Sequence, residues 1–247
     1  MKRAWPLLAL ALCACQATRP SSLREPIGDA PAVLVKRLRI PDTEAWYTRF
    51  ASHSWFAVRS KPDGTWRRIE IVGPSSGVED VPIDADAAFA DERWDRPVEV
   101  LAAYTGRDAA VMANEVRLLA ETYDDSTYRA WPGPNSNTFV ERILRQVDGL
   151  AAQLDHNAVG KDWALPGRIG WTGSGAGVEL ELPLVGLQLG LLEGVEVHLF
   201  GLTLGVGIWP LGLKLPFLPA LELVEAPRLS YGWSPAVDSQ PAPDSDE

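Results

Sequence analysis

Two stretches of the chain hold side chains whose types and spacing could do chemistry. In Tyr128 to Leu144, read YRAWPGPNSNTFVERIL, Ser136 stands between Asn135 and Asn137, just ahead of an apolar periodicity. In Ser52-His53-Ser54-Trp55-Phe56-Ala57-Val58, His53 opens a run of aromatic and β-branched residues. A serine becomes a nucleophile when a neighbouring base takes its proton and a third polar group orients that base. Ser136 would attack, His53 would take the proton, and Glu70, on the run after the next turn, would orient the imidazole. Asn135, Asn137, Trp131 and Trp55 would surround a bound group, and amides at a helix start would hold an oxyanion. The same residues read equally well as helix capping. Glu70 reads as well, and more simply, as a surface carboxylate among Arg67 and Arg68.

The elements that must position these groups follow from pattern. Pro132-Gly133-Pro134 excludes both helix and strand pairing, because each proline lacks an N–H and restricts its predecessor. Tyr128 to Trp131, before it, alternates like a short strand. Phe139, Ile143 and Val147 recur at helical spacing, and Thr138 with Glu141 forms a capping box, so a helix is expected to about Leu154. Val33 to Ile40 suits a first strand. Ser52 to Ser60 and Trp66 to Gly73 form a hairpin around Lys61-Pro-Asp-Gly-Thr65, where Pro62 presets φ and Gly64 accepts a positive one. Pro74 to Arg96 is a long acidic connection with short elements, and Val98 to Tyr104 is a further strand. Ala109, Met112, Val116 and Leu119 share one face of a second helix, 108–123.

From Trp171 the pattern changes. Glycines 177, 186, 194, 201 and 212 each open a short run of alternating apolar and other residues. Runs spaced this closely leave no room for helices, so they form an antiparallel meander with a leucine-rich face. Packing of that face on the first half is expected in preference to membrane contact. Ser234 to Glu247 is a Pro/Ser/Asp-rich tail.

Composition bounds the function. The formal charge is −10, without any basic cluster, which disfavours nucleic acid and anionic headgroups. The chain has 2 cysteines, Cys13 and Cys15, so the folded part offers no disulfide, thiolate metal site or cysteine nucleophile. The 3 histidines, His53, His156 and His198, form no HExxH or clustered ligand set, so no metal and no cofactor is expected. Lys2 and Arg3 before the apolar run 4–12 have the layout of an export signal, too short to span a bilayer. Leu12-Cys13-Ala14-Cys15 resembles the lipobox of bacterial lipoproteins, which implies cleavage after Ala14 and a lipid on Cys15. With Gln16 rather than an acidic residue next, that resemblance implies the periplasmic face of the outer membrane.

Two further resemblances concern the folded part. AWPGPNSNTFV, Ala158-Val-Gly-Lys-Asp162 and the meander ending Leu213-Lys-Leu-Pro resemble the bacterial family labelled domain of unknown function 3750, over most of residues 33–220. That resemblance implies no activity. More weakly, the order of a histidine strand followed by an Asn-Ser helix motif resembles circularly permuted papain-like proteins of the NlpC and lecithin:retinol acyltransferase-like type. In these a cysteine stands where Ser136 stands here, and a serine needs stronger base assistance than a thiol.

The expected protein is α+β. Residues 1–14 form a signal peptide and 15–32 a lipidated tether. A small mixed or antiparallel sheet with two main helices (a permuted papain-like core) occupies 33–165. A β-rich extension packed on it fills 166–233, and 234–247 is a tail. Two functions fit: a serine-dependent acyl transferase or hydrolase acting on envelope lipid or peptidoglycan, and a non-catalytic envelope binding or scaffolding module. The module would use the meander or a tryptophan-lined groove (Trp46, Trp55, Trp66, Trp131, Trp163, Trp171) as its contact surface.

Overall fold

The computed structural model describes residues 18–41, 50–208, 211–218 and 220–222. Cys13, Cys15, Trp46 and residues 223–247, which include the expected tail 234–247, lie outside them. The protein is α+β, with two antiparallel sheets.

The first sheet holds β1 (Ala32–Arg39), β2 (Ser52–Arg59), β3 (Trp66–Glu70), β4 (Glu79–Ile83), β5 (Glu92–Arg93) and β6 (Arg96–Thr105), in the order β4-β3-β2-β1-β6-β5. Period-two alternation gives the sheet two buried faces. Val33, Val35, Phe56, Val58 and Ile69 meet α3 (Arg107–Glu121) and α4 (Ser136–Gln146) through Met112, Val116, Phe139 and Ile143. Leu34, Ala57 and Trp66 point the other way, onto Ala88 and Phe89 of the connection that carries α2 (Ala85–Ala88). Phe56 and Phe139 are wholly buried, each worth about 1.5–3 kcal/mol relative to exposure.

The second sheet is a meander in strict sequence order: β7 (Arg168–Trp171), β8 (Gly177–Glu181), β9 (Val185–Gly190), β10 (Gly194–Leu199), β11 (Leu202–Ile208), β12 (Leu211–Lys214) and β13 (Leu221–Glu222). Its leucine-rich face points outward, not onto the first half as its composition suggests. Val178, Leu187 and Val195 are exposed while Glu179, Gln188 and Glu196 are buried.

Other departures from the sequence reading are local. Tyr128 to Trp131 is not a strand, and the amide of Arg129 instead donates to the Pro134 carbonyl (2.8 Å). The helix after the elbow ends at Gln146, and Val147 leaves it with extended dihedrals. Its cap is Asn135, with Thr138 as the reciprocating third residue, so the capping box lies three residues earlier than Thr138 and Glu141. The segment expected as a tether is folded from Thr18 on. Thr18 bridges to Val100, residues 20–27 form helical turns including α1 (Arg24–Ile27), and Ile27 is buried.

Candidate functional site

Sheet parity decides where the expected reactive groups go. On β2, Ser52, Ser54, Phe56 and Val58 share the face that meets α4, and His53, Trp55 and Ala57 share the other. The structure therefore brings His53 to Glu70 but sets it on the opposite face of the sheet from Ser136.

On the His53 face, Glu70 is fully buried, not a surface carboxylate. It accepts from His53 Nε2 (2.8 Å) and from both terminal nitrogens of Arg93 (2.7 and 2.6 Å), while Arg68 Nε lies 2.6 Å away. An ionised carboxylate only accepts, so the His53 tautomer in this contact carries its hydrogen on Nε2. Burial alone would raise the Glu70 pKa. Hydrogen bonds from His53 and Arg93 reverse that and bring it down to about 2. The imidazole lies between Trp55 and Trp94, with ring centroids 5.7 and 5.4 Å away, and Arg93 stacks over both indoles. Lys36, 2% exposed, donates to the Ala88 carbonyl (2.8 Å). Burial first and Arg93 second lower its pKa to about 8, against the opposing charge of Asp91. Arg93, Trp94 and Lys36 are members of this cluster that the sequence did not single out.

On the other face, the start of α4 is occupied by structural bonds. Asn135 Oδ1 accepts from the amides of Asn137 (2.9 Å) and Thr138 (3.3 Å), and its Nδ2 donates to the carbonyls of Ala130 and Val159. Asn137 Nδ2 donates to the carbonyls of Ser52 (2.9 Å) and Val159 (3.1 Å). Thr138 Oγ1 accepts from the Asn135 amide and donates to the Gly160 carbonyl. These bonds tie the elbow to β2 and to the 158–163 loop, and none runs through the Ser136 hydroxyl. Ser136 is 8% exposed, and the β2 side chains on the face that meets α4 are Ser52, Ser54, Phe56 and Val58, none of which is a base.

The elbow is also where the meander docks. Gly201, at φ +77°, lies so close that a Cβ there would sit 2.5 Å from the Pro132 carbonyl oxygen, and its own carbonyl accepts from the Gly160 amide (3.1 Å). Of the expected binding residues, Trp55 is core at 2% exposure and Trp131 is open at 55%. Trp66 is core as well. A depression of about 300 Å3 lined by Ile71, Gly73, Pro74, Ser75, Asp125 and Tyr128 includes none of the expected site residues.

A second buried charge network joins the meander to the core. Lys161 Nζ donates to Asp162 (2.9 Å) and Glu196 (3.2 Å), and Gln188 bridges Asp162 and Glu179. Arg145 reaches Glu141 and Glu179. The His198 ring meets Glu181 at Nδ1 (2.7 Å) and Glu196 and Asp162 at Nε2 (3.2 and 3.3 Å). Burial alone would lower the His198 pKa, but Asp162, Glu181 and Glu196 carry it up to about 9. Asp162, Glu181 and His198 bring ligand-type atoms within 4.8 Å of one another. Both ring nitrogens already face carboxylates, and the Lys161 ammonium supplies the positive charge that a cation would bring. The set fits an ion-pair network better than a metal site.

A family model described as "Protein of unknown function (DUF3750)" matches residues 34–163, just over half of the 247-residue chain. The match spans the first sheet from β1, both helices, the elbow and the Lys161-Asp162 pair. No curated protein and no solved structure matches the chain.

Proposed function

We propose from its geometry that this chain, which belongs to the DUF3750 family, is a non-catalytic binding or scaffolding module of the bacterial envelope. Export and a lipid on Cys15 would hold it at the membrane, and Gln16 after the lipidated cysteine favours the periplasmic face of the outer membrane.

The observation that carries this reading is the separation of the two expected catalytic groups. A general base must come within about 2.6–3.2 Å of the proton it removes, directly or through one water. His53 hydrogen-bonds to Glu70 on one face of the first sheet, and Ser136 opens a helix packed on the other. The bonds of Asn135, Asn137 and Thr138 tie the elbow to β2 and the 158–163 loop, and Gly201 of the meander packs against Pro132, so the elbow is a structural joint.

The support for a short lipid tether is positional. Thr18 is fixed against Val100 three residues after Cys15, so the body would lie within about 10 Å of its own anchor. Incubation of the purified protein with a fluorophosphonate probe, beside Ser136→Ala and His53→Ala, tests the first part. No labelling above the Ser136→Ala background is expected. Labelling lost in both variants would restore the enzyme reading. Mass analysis of protein extracted from membranes tests the second part. An N-terminal diacylglyceryl-cysteine, absent from Cys15→Ala, is expected, and an unmodified chain would remove the anchor.

A further inference from the structure

The meander is built inside out for a protein surrounded by water. Trp171, Val178, Leu189, Val195, Val206, Leu213 and Leu221 are cross-strand neighbours in one row running from β7 to β13. All of them face outward, 38–61% exposed. The adjacent row on the opposite face, Glu179, Gln188, Glu196 and Lys214, is turned into the charge network.

A one-residue shift in register would exchange these faces, burying the aliphatic side chains and exposing the charged ones. In water that exchange would be favoured, because a buried charge must be fully paired to be tolerated, whereas buried leucine is stabilising. Instead the buried row is matched by Lys161, Asp162 and Arg145 on the core side, so the charged-in, apolar-out arrangement is specified from both sides of the interface.

The geometry points to a lipid bilayer as the occupant of this outer face: the meander lies flat against the membrane with its aliphatic side chains in the boundary between headgroups and acyl chains. Apolar-out and polar-in alternation is the pattern of strands that face hydrocarbon. These strands, the longest only 7 residues, are too short to cross, since a spanning strand needs about 9–11 residues. Within the described residues no helix is long and apolar enough to span either. Protein partners are held through aromatic and arginine anchors and interfacial hydrogen bonds, whereas this row offers aliphatic side chains and a single indole, without an outward polar group. Trp171, Phe200 and Phe217 are also exposed at the margins, where interfacial aromatics belong. With the formal charge at −10 and Arg168 and Lys214 turned inward, the described residues of the meander offer no basic rim for anionic headgroups. The recognition is therefore of the apolar boundary itself.

This deepens the proposed function, from which it takes the nearness of the membrane, but it does not require the lipid on Cys15. The test uses residues 16–247, which keep every described element and lack both cysteines. Flotation with phosphatidylcholine vesicles is expected, undiminished by salt and not increased by anionic lipid. Leu189→Asp with Val206→Asp should lower partitioning at least tenfold. Leu189→Gln with Val206→Thr, a pair without new charge, should lower it severalfold with an unchanged melting transition. Absence of flotation would overturn the inference. So would binding that requires anionic lipid, or a dimer in sedimentation that the same substitutions dissociate and that does not float. Vesicle binding by 16–247 alongside an unmodified Cys15 would remove the anchor and keep the face. A lipidated full chain whose 16–247 form ignores vesicles would do the reverse.

Discussion

Replacing Glu70 with glutamine removes the one carboxylate that gathers His53, Arg93 and Arg68 in the interior of the first sheet. The carboxyl titrates near 2 in the folded protein against an ordinary 4.5, so its ionised form is favoured by about 3 kcal/mol at neutral pH, at 1.36 kcal/mol for each tenfold step. That figure lies at the lower end of the 3–5 kcal/mol typical of breaking a buried ion pair from one side. Because the folded value is depressed, the stabilisation is complete above pH 4.5 and is lost as pH falls through 2. Urea unfolding of wild type and Glu70→Gln should therefore differ by about 3 kcal/mol at pH 7, and by about 2 kcal/mol less at pH 3. A difference under about 1 kcal/mol at pH 7, or one that does not change with pH, would refute the assignment of Glu70 as the ionised centre of this cluster.

Other substitutions probe the remaining contacts. His198, held at about 9, adds stability that is complete below pH 6.5 and is lost as pH rises through 9; the gap between wild type and His198→Gln in urea unfolding should narrow by about 3 kcal/mol over that window. Lys36, lowered to about 8, is a buried ammonium that costs stability at neutral pH. Lys36→Met should be neutral to stabilising by up to about 3 kcal/mol at pH 7, less the hydrogen bond to Ala88, and the gain should vanish toward pH 10.5. Gly201→Ala places a Cβ against the Pro132 carbonyl at a positive φ and should lower stability by about 2 kcal/mol or more, read as a shift in melting temperature.

The elements with local signals were legible in the sequence. The β2–β3 hairpin is written in the turn Lys61–Thr65, although Asp63 (φ +51°) rather than Gly64 takes the positive φ; α3 is written in the spacing of Ala109, Met112 and Val116, and the meander in its glycines. The α4 cap moved from Thr138 to Asn135 because both side chains can cap a helix end. The pair three residues apart that closes the box is Asn135 with Thr138, and Glu141 turns instead into the network around Arg145.

What the sequence left open was direction. Alternation divides β2 into two faces without saying which of them α4 covers, and one residue of parity separates Ser54 from His53. Alternation in the meander likewise leaves the inward face undefined until Lys161, Asp162 and Arg145 are placed beneath it. Glu70 read as exposed because its main partner, Arg93, lies 23 residues away on a strand of 2 residues, without a periodic signal.

The separation of His53 from Ser136 is tested most directly at the imidazole itself. With only 3 histidines in the chain, the ring nitrogen and carbon-bound proton resonances of His53 can be assigned and followed in variants. Glu70→Gln should displace them strongly, and Ser136→Ala should leave them where they are. A displacement by Ser136→Ala comparable to that caused by Glu70→Gln would put the hydroxyl against the ring and contradict the account.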